Sequence, residues 1–277
     1  LWDKWNYKYN YPVYVHYFDD IYDDENLREE IRKFTGSDIR FISIPYETPK
    51  HIDESELFYN RKDLWYVNTG RFTSNRKGYL HMCHYFNNLY GYPNTEFEKY
   101  DYIMSIDDES EFTKEVPYDF FEVISKQDSI AGAIKLTDPK VKIPHQGVFD
   151  TRVGILDFVK DYIQKYKVEI KSEFIGKLFT EKDAEKYFHE NLVVADSWIF
   201  DTKMFKTSEW RQWTTELNNN GGVYKGRWGD CELNVLFMLI HYGYLPYDFK
   251  TVDEGYHNQG GFRNIQSIAP TIKDFGR

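Results

Sequence analysis

Tyr100-Asp101-Tyr102-Ile103-Met104-Ser105-Ile106-Asp107-Asp108-Glu109 is the stretch that decides the reading of this chain, a β-rich run that stops abruptly on three carboxylates. Aromatic and branched side chains suit a pleated, half-buried strand. Alternation along an extended strand sends Asp107 and Glu109 to one side and Asp108 to the other, so the first and third can act together. Adjacent carboxylates at a strand end supply the hard oxygen ligands that a divalent cation takes, and such a cation can grip a diphosphate. An isolated acidic triplet is more often a solvated turn, so the assignment depends on what the rest of the chain adds.

Upstream, Pro12 to Phe18 reads as a strand, Asn26 to Phe34 as a helix and Ile39 to Ile44 as a second strand. Pro45 and Pro49 open a polar, loop-rich stretch to about Asn75, after which Tyr79, Cys83, Phe86 and Tyr90 recur at helical spacing. Downstream, Pro117 begins a helix to about Lys126, and Ser129 to Leu136 is a strand. Ile155, Leu156, Val159 and Ile163 make an amphipathic face, and Lys165 to Glu190 reads as a mostly solvated helical excursion. Leu192 to Phe200 is strand-like and Met204 to Leu217 helical. Asn218-Asn219-Asn220-Gly221-Gly222 reads as a loop, and Leu233, Leu236, Phe237 and Ile240 mark a last apolar stripe. Alternating strands and helices predict an α/β protein with a central mixed sheet flanked by helices.

The chain has 277 residues, a length that fits one domain over 1–277. Its net charge of −10 argues against phosphate-neutralising contacts with nucleic acid, so no nucleic-acid partner is expected. Aromatics reach 19%, which suits surfaces that stack on sugar or base rings. Cys83 and Cys231 make no CxxC pair and are expected to be buried thiols. No run of eighteen apolar residues occurs, so no membrane contact is expected of the chain as given. It begins without Met, as a trimmed catalytic segment would.

Three further clusters carry candidate chemistry. Gly221 to Glu232 is a glycine-bearing loop feeding the last helix: Asp230 and Glu232 are candidate catalytic acids, or a helix cap and a favourable first-turn charge. Within it, Arg227 can hold a phosphate or acceptor group, and Trp228 can stack on a sugar or pack in the core. Asp253-Glu254-Gly255-Tyr256-His257 offers the His257 imidazole to a borderline ion such as Mn²⁺. Asp196-Ser197-Trp198 places a third candidate catalytic carboxylate, Asp196, on a strand, with Trp198 beside it as a ligand-stacking candidate. Tyr14, Arg71, Arg76 and Asp108 complete the donor- and acceptor-binding candidates.

These segments resemble the fungal glycolipid 2-alpha-mannosyltransferase family over roughly Gly78 to Phe262. Gly78-Tyr79-Leu80-His81-Met82-Cys83 is similar to the family's Tyr-x-x-Met-Cys helix, and Gly221-Gly222 through Arg227-Trp228-Gly229-Asp230 is the nearest match. Val252-Asp253-Glu254-Gly255-Tyr256-His257 resembles its Asp-Asp-Ile-Gly-Tyr-x-His stretch, which provides a metal-binding histidine. The resemblance implies a GT-A fold and transfer of mannose from GDP-mannose, a Golgi reaction, to a carbohydrate hydroxyl. It also implies Mn²⁺ or Mg²⁺ held by Asp107, Glu109 and His257. About 1–110 would bind the nucleotide sugar and about 111–277 the acceptor. Other donors, such as a pentose, stay open, as does location in the cytoplasm or the Golgi lumen. Two departures stand out: the family's Val-Glu-Pro is here Ile106-Asp107-Asp108, and its candidate nucleophilic Glu aligns with Trp198. A carboxylate-pair glycoside hydrolase, active without nucleotide or metal, and a noncatalytic carbohydrate-binding protein are the alternatives.

Overall fold

The computed structural model describes residues 4–17, 21–44, 47–88, 96–107, 110–137, 149–249 and 256–257. Strand β1 (Val13–Tyr17), helix α1 (Glu25–Thr35) and strand β2 (Ile39–Ser43) form a βαβ unit, with Val13 opposite Ile39 and Tyr17 opposite Ser43 in a parallel ladder. The Asp24 side chain accepts the Asn26 amide to start α1, and Gly36 at φ 65° ends it. The polar stretch that follows carries short 3₁₀ turns and one short helix, α2 (Trp65–Asn68). It is not solvated throughout. Leu57, Phe58, Leu64 and Phe72 are buried there beneath Leu80 of α3 (Lys77–Asn88), making a small core of their own.

Strand β3 (Tyr102–Ser105) leads to the short β4 (Glu111–Phe112), α4 (Phe120–Ser125) and β5 (Ala131–Thr137). After α5 (Ile155–Tyr166), α6 (Glu173–Thr180) and α7 (Ala184–Asn191) come β6 (Val194–Asp201), α8 (Ser208–Asn220), α9 (Gly222–Gly226) and α10 (Asp230–His241). Strands β7 (Tyr247–Asp248) and β8 (Tyr256–His257) complete the described elements. The four-stranded sheet has the order β3-β6-β5-β7: β6 is antiparallel to both β3 and β5, and β5 is parallel to β7, so the sheet is mixed. Helix α10 is buried at every position from Leu233 to Ile240, as a helix must be when it is covered on all sides. Among the described residues no helix is long and apolar enough to cross a membrane.

The region 165–190 is helical and largely exposed, as expected, and Ile175, Leu178 and Phe188 anchor it in the main core with α5, α8 and α10. One expectation about the chain's organisation is corrected. The asparagine run is not a loop: α8 continues through Asn220 and stops at Gly221, whose φ of 73° closes it. Tertiary partners override the weak helix propensity of that run, because Asn218 donates to Asn88 Oδ1 at 2.7 Å and meets the His84 ring nitrogen at 3.1 Å. Contacts tie the two expected halves together. The Trp5 indole donates to the Tyr118 carbonyl (3.0 Å), and the Val116 amide donates to the Lys4 carbonyl (2.9 Å).

Candidate active site

The turn between α9 and α10 is built from a tryptophan clasped by glycines. A Cβ on Gly222 would lie 2.2 Å from the Trp228 ring and one on Gly226 2.4 Å from it, so the close approach requires glycine at both places. Trp228 is 3% exposed, and its indole N–H donates to the Val153 carbonyl at 2.8 Å. Arg227 adopts a left-handed backbone, φ 55°, which costs a non-glycine residue on the order of 1 kcal/mol and persists where surroundings enforce it. Those surroundings are three rings: the guanidinium lies 4.3 Å from the Tyr79 centroid and 5.4 Å from those of Tyr66 and Phe72.

Gly229 is the N-cap of α10, with no side-chain cap, and Asp230 is the first helical residue. Asp230 is therefore not the helix cap. Half-buried at the positive end of the helix, its carboxylate sits where negative charge is favoured. Its backbone N–H reaches the thiol of Cys83 on α3, which is fully buried and pushed well above the usual thiol range by burial. Cys231, expected to be buried, is only half-buried. Glu232, two residues on, faces another way: its Oε1 lies 3.6 Å from Arg152 Nε, in a pair whose side chains are 16% and 3% exposed respectively.

The second acidic corner lies at the end of β3. The β3–β6 ladder runs from Tyr102 opposite Asp201 to Ser105 opposite Trp198. Asp107 lies two residues beyond the last pair, and Asp196 two residues before Trp198 on β6. Ser197, between Asp196 and Trp198, has φ 53°, an unusual left-handed residue inside a strand. The Ser110 amide donates to the Asp107 carbonyl at 3.0 Å, and β4 then pairs antiparallel with β8, Glu111 opposite His257. The backbone thus brings His257 beside the chain just past Asp107. Among the described residues no three His, Cys, Asp or Glu gather as a metal site; Asp108 and Glu109 lie outside the described residues, as do the side chains of Asp196 and His257.

The remaining candidates are dispersed. The Tyr14 hydroxyl, on β1, receives a hydrogen bond from Arg40 (2.8 Å) and meets the Tyr100 hydroxyl at 3.0 Å. Burial and the Tyr100 bond push it up to about 12. Arg71 is exposed and stacks 4.6 Å from the Trp65 centroid, and Arg76 is exposed ahead of α3. Trp198 and Trp228, expected to stack on a ligand, are instead core residues. At 2% and 3% exposure neither has an open ring face; Trp198 stacks on Phe200 at 5.1 Å, and Trp228 fills the space its glycines leave. Sequence reasoning missed the Tyr66, Phe72 and Tyr79 box around Arg227, and missed Arg152. Their partners are far away in sequence, and no local pattern announces them.

Solved structures with this architecture define its class. The chain superposes on core-mannan synthase A from Aspergillus fumigatus, solved in a Mn/GDP form, with a TM-score of 0.71, 16% identity, and coverage of 93% of this chain and 68% of that one. It superposes on the mannosyltransferase Ktr4p from S. cerevisiae with a TM-score of 0.70, 18% identity, and coverage of 93% and 64%. The fold is the GT-A glycosyltransferase fold. The chain belongs to the glycolipid 2-alpha-mannosyltransferase family, whose model matches residues 1–242. Relatives include the glycolipid 2-alpha-mannosyltransferase of Saccharomyces cerevisiae, 21% identical over 92% of this chain and 58% of that protein. Another is the probable mannosyltransferase MNT3 of Candida albicans, 26% identical over 86% and 59%. The chain spans about three fifths of the length of these curated relatives.

Proposed function

We propose that this chain carries a metal-dependent glycosyltransferase activity, moving a sugar, mannose from GDP-mannose by its family, onto a hydroxyl of a carbohydrate acceptor. The observation that carries the reading is the β4–β8 ladder, which sets His257 opposite Glu111, immediately after the acids that follow β3. Carboxylate oxygens from Asp107 and Glu109 with one imidazole form a donor set suited to Mn²⁺ or Mg²⁺, Mn²⁺ being the better match to nitrogen. In donor type these residues would suit the group. When bound, such an ion supplies Lewis-acid neutralisation of the departing nucleoside diphosphate, which then needs no proton.

The chain's own residues do the rest. Asp230 accepts the proton of the acceptor hydroxyl from a fixed position on the first turn of α10. Arg227, its plane held by three rings, presents N–H donors to a phosphate or an acceptor hydroxyl. Arg71 and Arg76 offer exposed cationic groups to the donor, with Tyr14 and Asp108 on the same nucleotide-binding half, about 1–110. Residues 111–277 take the acceptor. Glu232 is tied to Arg152, which leaves Asp230 the better base, with Asp196 on β6 the alternative. Trp198 stands in the core where the family's candidate nucleophile would be, so a covalent intermediate has no carboxylate at that position.

Incubation with GDP-, UDP- and other nucleotide sugars, with and without Mn²⁺, tests this. Transfer from one donor that EDTA abolishes is the expected result. Cleavage of glycans without nucleotide or metal would replace the reading with a hydrolase.

A further inference from the structure

A short segment outside the proposed catalytic groups contacts the active-site turn twice directly and once through Tyr66. Asp150, Thr151 and Arg152 are all buried, which is rare for adjacent polar residues. The Asp150 carboxylate accepts the Tyr66 amide at 2.7 Å. The N-cap of α2 is Leu64, which has no side chain able to cap it, so Asp150 caps that helix from across the molecule. The Tyr66 ring is one of the three that hold Arg227. Next along, the Arg152 guanidinium donates to the His189 carbonyl (3.3 Å) and faces Glu232 (3.6 Å). Glu232 Oε2 in turn packs against Gly229, where a Cβ would lie 2.5 Å from it. Finally, the Val153 carbonyl accepts the Trp228 indole.

We infer that segment 150–153 is a positioning element for the active-site turn, and that Arg152, through Glu232, is the residue that holds the first turn of α10 and with it Asp230. The argument is one of geometry and charge. Arg227, Trp228 and Glu232 bracket Asp230 on both sides, and each is fixed, directly or through Tyr66, by a residue of this segment. A buried guanidinium facing a nearly buried carboxylate is costly to desolvate, so the pair earns little net stability and much geometric definition. Its position beside Gly229 puts that definition at the N-cap of α10.

The inference rests on the proposed transferase reading for its catalytic consequence, and the test separates the two. The full chain, Arg152→Lys, and the charge-neutral double variant Arg152→Met/Glu232→Gln, which leaves no unpaired buried charge, are compared with GDP-mannose, Mn²⁺ and methyl α-mannoside. Amide hydrogen exchange is read on each at residues 228–232 and across α8. In the double variant, exchange at 228–232 is expected to rise about tenfold with α8 unchanged. Its kcat falls about tenfold with donor KM within about twofold, because a displaced base costs rate rather than binding. Arg152→Lys restores both to within about threefold of the parent. Parental exchange at 228–232, or fast exchange with parental kcat, overturns the inference. If the parent transfers no sugar, the transferase reading fails, and exchange alone decides whether the segment holds the turn.

Discussion

The turn at 227–232 and the corner after β3 are both acidic and both belong to the proposed site, yet the fold holds them differently. The turn is gripped from every side: two glycines admit Trp228, three rings flank Arg227, and Val153 and Arg152 anchor it from outside. The corner follows a four-residue strand whose ladder ends at Ser105, and its connection to His257 is a ladder of two residue pairs. One acid is fixed in advance by packing, as a proton acceptor must be to lower a barrier without reorganising. The other follows the last pair of a short ladder, as suits groups that a metal and a diphosphate would themselves draw together.

The sharpest way to break this contrast is Asp230→Asn. It should lower kcat by about 10²- to 10⁴-fold, leave donor KM within a few-fold and lower the melting temperature by no more than a few degrees. A kcat within threefold of the parent would return Asp230 to a helix-end charge. Asp107→Ala should act on metal dependence instead, raising the Mn²⁺ concentration for half-maximal activity by about tenfold or more without unfolding the protein. Unchanged Mn²⁺ dependence would remove it from the metal set. Gly222→Ala probes the packing of the turn: forcing a methyl into the Trp228 ring should cost about 1–3 kcal/mol in urea unfolding. Gly176→Ala in α6, where the added Cβ would lie 3.8 Å from the Ile170 side chain, should be neutral or stabilising.

The smallest effect is acid lability. Burial lowers His16, His189 and His241 to about 4 in the folded chain, with Arg152 adding to the effect at His189. Each is neutral when folded and protonated when unfolded between pH 6.5 and 4. Their contribution is therefore complete above about 6.5 and is lost as pH falls towards 4, so melting temperature should decline through that window. Replacing His241 by Gln should flatten the decline slightly.

The elements set by short-range chemistry were readable in the sequence. The β1–α1–β2 unit, the strand that stops before Asp107 and the stripe of α10 each show their period and their stop signals within a dozen residues. Tryptophan was harder, because the same side chain serves a core or a sugar. Gly222 and Gly226, six and two residues before Trp228, were the signal that it folds back on its own chain. The asparagine run was misread because its partners, His84 and Asn88, lie on α3. Arg152 and Glu232 are joined only by tertiary structure, and composition gives no notice of a pair that far apart.

Paramagnetic broadening by Mn²⁺ in the presence of GDP tests the central claim most directly. Amide resonances of Ile106, Asp107, Ser110, Glu111 and His257 should broaden first, and Asp107→Ala should abolish the effect. Broadening centred elsewhere, or unaltered by that substitution, would contradict the account.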